Sequence, residues 1–370
     1  MNNDHNLRPM DTQIPNIAGK GRGAVSNQTG RFEGYEAMAI DDGWNSPLDE
    51  DLPPLRTTVT PDATRTIIAR NTSPDVPFDR SINPYRGCEH GCVYCFARPT
   101  HAFLGLSPGL DFETRLFYKP EAAALLEKEL RSPKYTCGVM AMGTNTDPYQ
   151  PIERELKLTR RILKVLAAHD HPVSIVTKSS QIIRDIDILA PMAERRLAQA
   201  CISVTTLDRG LARKMEPRAP TPARRLETIR ALTGAGIPCG VMAAPMIPVL
   251  TDPELESILE AAKAAGAHMA GYVLLRLPLE IKELFREWLD AHVPLKARHV
   301  MNAVKDAGGG QIYDPTFGGR QRGTGPYANL PLQRFEKACK RLGLNERRYR
   351  LDKTLFKPPP RKGDQLGLFG

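Results

Sequence analysis

Three of the seven cysteines in the chain fall in one run of eight residues, CEHGCVYC, as Cys88, Cys92 and Cys95. Thiolates at that density are soft ligands, and the question they pose is which metal they serve. A structural zinc takes four protein ligands, usually as two separated pairs. Cys137, Cys201, Cys239 and Cys339 are isolated and form no second pair. His90 lies between Cys88 and Cys92, where sharing one ion with them makes a strained chelate. Zinc is therefore the poorer reading. Three thiolates on one short loop suit a [4Fe–4S] cluster better, because three ligands leave one iron open to a group that is not protein. An open iron lets a cluster bind and reduce a substrate instead of only passing electrons. Gly87 and Gly91 allow the loop to fold tightly, and Tyr94 can pack against a flat ligand beside the third cysteine.

A loop of this kind needs a rigid frame. From about Ser81 to about His292, short apolar runs alternate with longer amphipathic stretches. RSINPYRG reads as a first strand ending at Gly87. CGVMAMG, PVSIVTK, AQACISVTT, IPCGVMAAPMIPVL and HMAGYVLLRLP read as five more, the prolines of the fifth lying at its ends or beyond. The stretches between them have helical spacing. PIERELKLTRRILKVLAAH reads as one helix with Pro151 at its first position, and QIIRDIDILAPMAERR as a helix broken near Pro191. TPARRLETIRALTGAG is capped by Thr221 and stops at Gly234 and Gly236. Six strand–helix units call for a parallel sheet covered by helices, either doubly wound or a partial barrel. Both place chemistry at the C-terminal ends of the strands, and the three cysteines directly follow the first strand.

The chain has 370 residues, 41% of them hydrophobic, which suffices for one large domain or two ordinary ones. No apolar run reaches the length of a membrane span, and MNNDHNLRPM lacks an apolar signal region. The expected setting is the cytoplasm, with reduced thiols and no membrane partner. Residues 1–60 read as a mostly disordered polar arm that partly wraps the core, residues 61–295 as the α/β core, and residues 296–370 as a basic extension packing on it with a Pro-rich end. Between Thr316 and Gly370 there are 13 Lys and Arg against 4 Asp and Glu, which matches the net charge of +9 for the whole chain. Such a segment attracts a polyanion, nucleic acid first, although a solubilising end explains the same charge.

The motif C-x3-C-x2-C with an aromatic before its last cysteine, after the first strand of a (βα)6 pattern, resembles the radical SAM superfamily. NPYRGCEHGCVYCFAR, NTDPYQPIERELKLTR, IVTKSS, ISVTTLD, EPRAPTPARRLETI and GVMAAPMIP narrow the likeness to a bacterial group related to spore photoproduct lyase. Within it, the long N-terminal arm and the C-terminal RGTGPYA segment resemble one branch. The resemblance covers about residues 55–356. It implies a partial (βα)6 TIM-like barrel in which Cys88, Cys92 and Cys95 hold a [4Fe–4S] cluster, with S-adenosylmethionine on the fourth iron. It implies reductive cleavage of that cofactor to a 5′-deoxyadenosyl radical, which takes hydrogen from a substrate. It also implies a reducing partner such as flavodoxin or ferredoxin.

The same resemblance suggests the cofactor's neighbours. The superfamily often binds the methionyl amino group through Gly-Gly-Glu near the second strand's end. Here that place reads Met142-Gly143-Thr144-Asn145-Thr146-Asp147, so Thr144, Asn145 or Asp147 would substitute, or Asp147-Pro148 is only a helix-entry turn. Lys178 is similar to a lysine that meets the methionyl carboxylate, and Ser203 to a cofactor-contacting serine. Arg218 and Arg225 suit a carboxylate or phosphate, and Ala243 to Met246 suit adenine. Spore photoproduct lyase uses a cysteine as hydrogen donor near the end of its second strand. The counterpart here falls around Thr144, and Cys137 lies at the strand's other end. Tyr149 or Tyr272 would then relay hydrogen. Three functions compete at this point: a radical SAM enzyme acting on nucleic acid, one acting on a peptide or small metabolite, and a metal-stabilised nucleic-acid-binding protein whose basic contact is LQRFEKACKRLGLNERRYR.

Overall fold

The structure, a computed structural model, describes residues 19–33, 55–346 and 349–360. The rest of the arm and the chain beyond 360 lie outside the described residues. Six parallel strands follow one another in chain order across one sheet: β1 (Arg80–Ile82), β2 (Met140–Met142), β3 (Val173–Thr177), β4 (Ala198–Ser203), β5 (Cys239–Met246) and β6 (Met269–Leu274). Strand Ile68–Arg70 adds antiparallel to β1, and β6 and β1 do not pair, so the barrel is open. A main helix follows each strand: α1 (Ala122–Leu130), α2 (Leu158–Ala168), α3 (Ile186–Glu194), α4 (Pro222–Gly234), α5 (Leu255–Ala264) and α6 (Ile281–His292). Beyond them come α7 (Pro294–Ala307) and α8 (Pro326–Leu342). This is the partial (βα)6 barrel that the family resemblance implied, one of the two architectures the alternation allowed. Among the described residues no helix is long and apolar enough to cross a membrane.

Two apolar clusters hold the frame. In the first, Ile162, Leu163 and Leu166 of α2 pack on Val173 and Ile175 of β3, with α4 and α5 continuing the layer. Cys239 is fully buried in it, a small core residue as its place in a strand implied. The second lies under the cysteine loop. Val93, Tyr94 and Met215 meet Phe285, Trp288 and Leu289 of α6 and Val300 of α7. Trp288 is fully buried and donates from its indole nitrogen to the Lys214 carbonyl at 3.0 Å. Burying a side chain of that size contributes about 3 kcal/mol.

Four local expectations change. The first strand stops at Ile82, and Tyr85–Arg86 pairs instead with Arg115–Tyr118 in a small second sheet. The stretch after Pro151 is two helices, Glu153–Leu156 and α2, separated by Lys157 at φ 52°. The Glu153 carboxylate accepts from the backbone nitrogens of Thr159 and Arg160, which fixes the bend. Pro191 sits inside α3 without breaking it. The carbonyl it leaves without a donor belongs to Asp187, which is exposed and so open to solvent. Pro245 lies within β5 rather than beyond it, at a register shift opposite Tyr272–Leu274 where no ladder donor is required.

Candidate functional site

Residues 87–98 form a loop just past β1, at the end of the sheet where the parallel strands finish. Its turns are short: Gly91 N donates to Cys88 O at 3.3 Å and Cys95 N to Cys92 O at 3.2 Å. Gly91 has φ 66°, and a Cβ there would lie 2.7 Å from a Glu113 carboxylate oxygen, so the position requires glycine. Cys88 and Cys92 are buried, Cys95 is half-buried, and all three are free thiols. Burial pushes the Cys88 and Cys92 thiols well up, and the proximity of Asp147, Cys92 and Cys95 adds to this at Cys88. At Cys92 the ammonium of Lys178 pulls the other way.

The loop is braced from every side. Gln150, after β2, accepts from Glu89 N at 3.0 Å and donates to Gly87 O at 3.2 Å. His90 Nδ1 lies 3.4 Å from the Asp147 carboxylate. That carboxylate also accepts from Thr177 Oγ1 (2.6 Å), Lys178 N (2.9 Å) and Tyr149 N (2.9 Å). Burial alone would push Asp147 up, but His90 and these donors outweigh it and hold the carboxyl down at about 2. Asp147 is thus spent on tying the loop to the ends of β2 and β3. From β4's side, Val93 N bonds to Met215 O at 3.1 Å. The Tyr94 hydroxyl donates to Glu216, which also accepts from Thr205 Oγ1 at 2.8 Å and pairs with Arg225. Arg225 further bonds the Ser203 carbonyl at 3.2 Å, and Arg218 pairs with Glu89 at 3.2 Å. Both arginines therefore hold carboxylates, but those of the protein's own loop support.

Two fully buried charges complete the support. Arg98 donates to Cys92 O (2.8 Å), Gly109 O (2.8 Å) and Pro108 O (3.1 Å) and pairs with Glu113. Glu113 accepts in turn from Gly23 N (2.9 Å) and Ala24 N (2.8 Å) of the N-terminal arm. Gly23 passes so close to Gly91 that a Cβ would meet its carbonyl. Residues 22–26 are buried, and Val25 joins the apolar cluster beneath Cys92 and Tyr94.

The polar residues singled out in sequence fall around this loop. Lys178 Nζ lies 5.8 Å from the centre of the Tyr94 ring, which brings Lys178, Tyr94 and Cys92 together. Ser203 ends β4 and reaches them through the Arg225–Glu216–Tyr94 chain. Thr144 and Asn145 occupy a turn that Thr146 pins to Tyr85 O at 3.0 Å and Asp147 pins to the loop. Among the described residues, the side chains of Thr144, Asn145 and Ser203 have no hydrogen-bond partner, and Lys178 has no ion pair. Their bonding capacity is unspent at the ends of three adjacent strands. The relay candidates behave differently. Tyr149 is fully buried and donates to Asp185 at 3.1 Å, while Tyr272 packs on Phe335 of α8 with ring centroids 4.8 Å apart. Cys137 precedes β2, at the end away from Thr144.

Sequence inspection did not find Arg98, Glu113, Gln150 or Glu216. Each acts through a contact between distant segments, and no local spacing marks it.

The donor set can be tested against a metal. A single tetrahedral ion bound by thiolates draws its sulfurs to within about 3.8 Å of one another. Among the described residues no three His, Cys, Asp or Glu side chains are gathered tightly enough to hold one ion. Three free thiols on one braced loop fit a cluster in which each takes a separate iron.

The chain is similar to known proteins over much of its length. The profile of the radical SAM superfamily matches residues 82–262. An uncharacterized protein of Mycobacterium tuberculosis is 41% identical over 227 residues, 60% of this chain and 67% of the relative. One from Methanocaldococcus jannaschii is 29% identical over 173 residues, 47% of this chain and 62% of the relative. Among solved structures, spore photoproduct lyase complexed with dinucleoside spore photoproduct superposes with a TM-score of 0.56. The identity is 15%, over 77% of this chain and 80% of that one. A variant of that lyase with bound AdoMet and the dinucleoside superposes with a TM-score of 0.54 at 16% identity, over the same shares.

Proposed function

We propose that this chain, which belongs to the radical SAM superfamily, binds a [4Fe–4S] cluster through Cys88, Cys92 and Cys95 and uses it with S-adenosylmethionine on a nucleic-acid substrate. The observation that carries the reading is the braced loop of three thiols at the strand ends, ringed by polar groups with unspent bonds. When bound, the cluster and S-adenosylmethionine together supply one-electron cleavage of the sulfonium and abstraction of a hydrogen atom. The chain's own residues do the rest. Cys88, Cys92 and Cys95 bind as thiolates, which a metal centre favours over the raised thiols of the free loop. Arg98 fixes the Cys92 carbonyl, and the Glu216–Arg225 pair fixes the Tyr94 ring, so the loop does not reorganise on binding. Lys178 offers its ammonium to the methionyl carboxylate, and Thr144 and Asn145 offer oxygen acceptors to the amino group. Ser203 lies within reach of the same cofactor. A small reducing protein such as flavodoxin or ferredoxin would deliver the electron.

Two observations support nucleic acid as the substrate class: the basic segment after Thr316, and a fold shared with a lyase solved with a dinucleoside bound. The reaction differs from one that relies on a donor cysteine after the second strand, since Gly143–Asp147 contains none.

The test is anaerobic reconstitution with iron and sulfide, then reduction with S-adenosylmethionine present, with 5′-deoxyadenosine measured. The nucleoside should form with the wild type and vanish with Cys92→Ala. A fully loaded wild type that releases none overturns the reading.

A further inference from the structure

We infer that the mouth of the barrel beside the cysteine loop carries a stacking platform for single-stranded nucleic acid, made by Phe96, Arg276, Tyr313, Phe317 and Arg320. The inference deepens the reading above and rests on nucleic acid being the substrate class. Phe96 directly follows Cys95 and is 47% exposed. Arg276, two residues past β6, holds its guanidinium carbon 5.5 Å from the centre of the Phe96 ring and 5.9 Å from that of Tyr313. Farther along, Arg320 sits 4.5 Å over the ring of Phe317, which is 57% exposed. Rings and guanidinium groups thus alternate across the opening.

The C-terminal extension delivers half of this array, and it is firmly docked. Leu274 N of β6 donates to Gln321 O at 2.9 Å. Arg320 is tied to Asp75 and Ser73, and Gly318 N donates to Asp75 at 2.6 Å. Arg320 is therefore a fixed partner for the Phe317 ring. Arg276 is different. Its Nε is buried without a hydrogen bond, and among the described residues no carboxylate lies within ion-pair distance of it. Among the described residues its one hydrogen bond is to Tyr313 Oη, 3.5 Å from Nη2, and Asp75 feels its charge from farther off. It lines a groove with Pro248, Leu275, Tyr313, Asp314 and Arg320, in which Asp314 already accepts from Thr316 N at 2.8 Å.

This chemistry selects one kind of ligand. An exposed ring takes the face of a base whatever its sequence, and a guanidinium both stacks and binds phosphate. An apolar ligand has no use for an unpaired arginine, and a duplex hides the base faces that the rings would meet. Unpaired bases linked by phosphates satisfy both features. Because Phe96 adjoins Cys95, a base stacked there stands next to the reacting centre.

The experiment uses the reconstituted full chain, anaerobic, without reductant or S-adenosylmethionine. The probe is a fluorescein-labelled single-stranded oligodeoxynucleotide, with a second version carrying one 2-aminopurine, whose fluorescence stacking quenches. The wild type should bind the single strand more tightly than its duplex and quench the 2-aminopurine. Arg276→Ala and Phe317→Ala should each raise the dissociation constant about tenfold, within the range for loss of one stacking contact. Phe317 is exposed, so its variant reports even where Arg276→Ala folds poorly. Lys164→Ala, on the exposed face of α2 and outside the basic segment, should change affinity less than about threefold, as one screened charge does. Equal affinity in Arg276→Ala, Phe317→Ala and wild type overturns the platform, and so does a dominant loss in Lys164→Ala. A wild type that releases 5′-deoxyadenosine but binds no oligonucleotide overturns the platform and leaves the radical chemistry standing. Platform-dependent binding without S-adenosylmethionine cleavage does the reverse.

Discussion

Glu113→Gln tests whether one buried ion pair governs the cysteine loop. Glu113 and Arg98 are both fully buried, and the carboxylate serves three donors: the Arg98 guanidinium and the backbone nitrogens of Gly23 and Ala24. Glutamine has the same shape but replaces one acceptor oxygen with an NH2 group, which must then face a donor. Arg98 is left as a buried cation whose remaining partners are neutral carbonyls, one of them that of Cys92. Breaking a buried pair from one side costs about 3–5 kcal/mol. A share of that loss returns if residues 22–26 detach and water reaches the guanidinium, so a measured loss of about 3 kcal/mol is expected. The assay is urea denaturation, with a double-mutant cycle against Arg98→Met. The coupling energy should exceed about 2 kcal/mol, since the two groups form one unit. Limited proteolysis should show cleavage within residues 19–33 that the wild type resists. A Glu113→Gln protein within about 0.5 kcal/mol of wild type and still protected there would refute the assignment.

Two further outcomes follow from single positions. His171 is fully buried against Tyr135 and Phe356, and burial holds its pKa down at about 4, below the ordinary 6.5, although the Pro172 carbonyl pulls it up. The neutral ring's contribution is complete above pH 6.5 and is lost as pH falls from there toward 4, roughly 3 kcal/mol in all. His171→Gln should flatten the stability-versus-pH curve in that window, and identical slopes would show that other groups set the acid sensitivity. Gly143 has φ 83°, and a Cβ there would lie 1.8 Å from the Val176 carbonyl oxygen. Gly143→Ala should lower stability by more than about 3 kcal/mol by prising β2 from β3, and an unchanged melting temperature would refute this.

The alternation of apolar runs and amphipathic stretches was enough to read the six βα units, because each strand is buried and each helix must cover it. Boundaries were harder. Nothing local separates Tyr85–Arg86 from the strand before it, since the pairing that removes it involves Arg115–Tyr118, thirty residues on. The bend at Lys157 depends on a side chain that caps its own following helix. At the site, Cys88, Cys92 and Cys95 were legible because one loop supplies all three, and Lys178 because it ends a strand. The supports were not. Arg98 with Glu113, Glu216 with Arg225, and Phe96 with Arg276 and Tyr313 are groupings that only the fold brings together; of these residues only Arg225 stood out in the sequence, and its partner Glu216 did not.

The supports also explain why Lys178 is left over. Among the described residues, four acidic side chains beside the loop are held locally: Glu89 pairs with Arg218, Glu113 with Arg98 and Glu216 with Arg225, while Asp147 lies 3.4 Å from His90 Nδ1 and accepts from Thr177 Oγ1 and the backbone nitrogens of Tyr149 and Lys178. Of the two cations that act on the Cys92 thiol, Arg225 is spent in this way and Lys178 has no carboxylate within ion-pair distance among the described residues. A buried charge without a partner is expensive, and a half-exposed lysine escapes that penalty only by keeping its ammonium in water. On the proposed reading, a cluster held by three thiolates would add negative charge beside Lys178, and the carboxylate of an amino-acid cofactor would find its ammonium free. Its lack of an ion pair in the free chain supports that reading. Arg98, Arg218 and Arg225 hold Glu113, Glu89 and Glu216, which keeps those acids of the scaffold from competing for it.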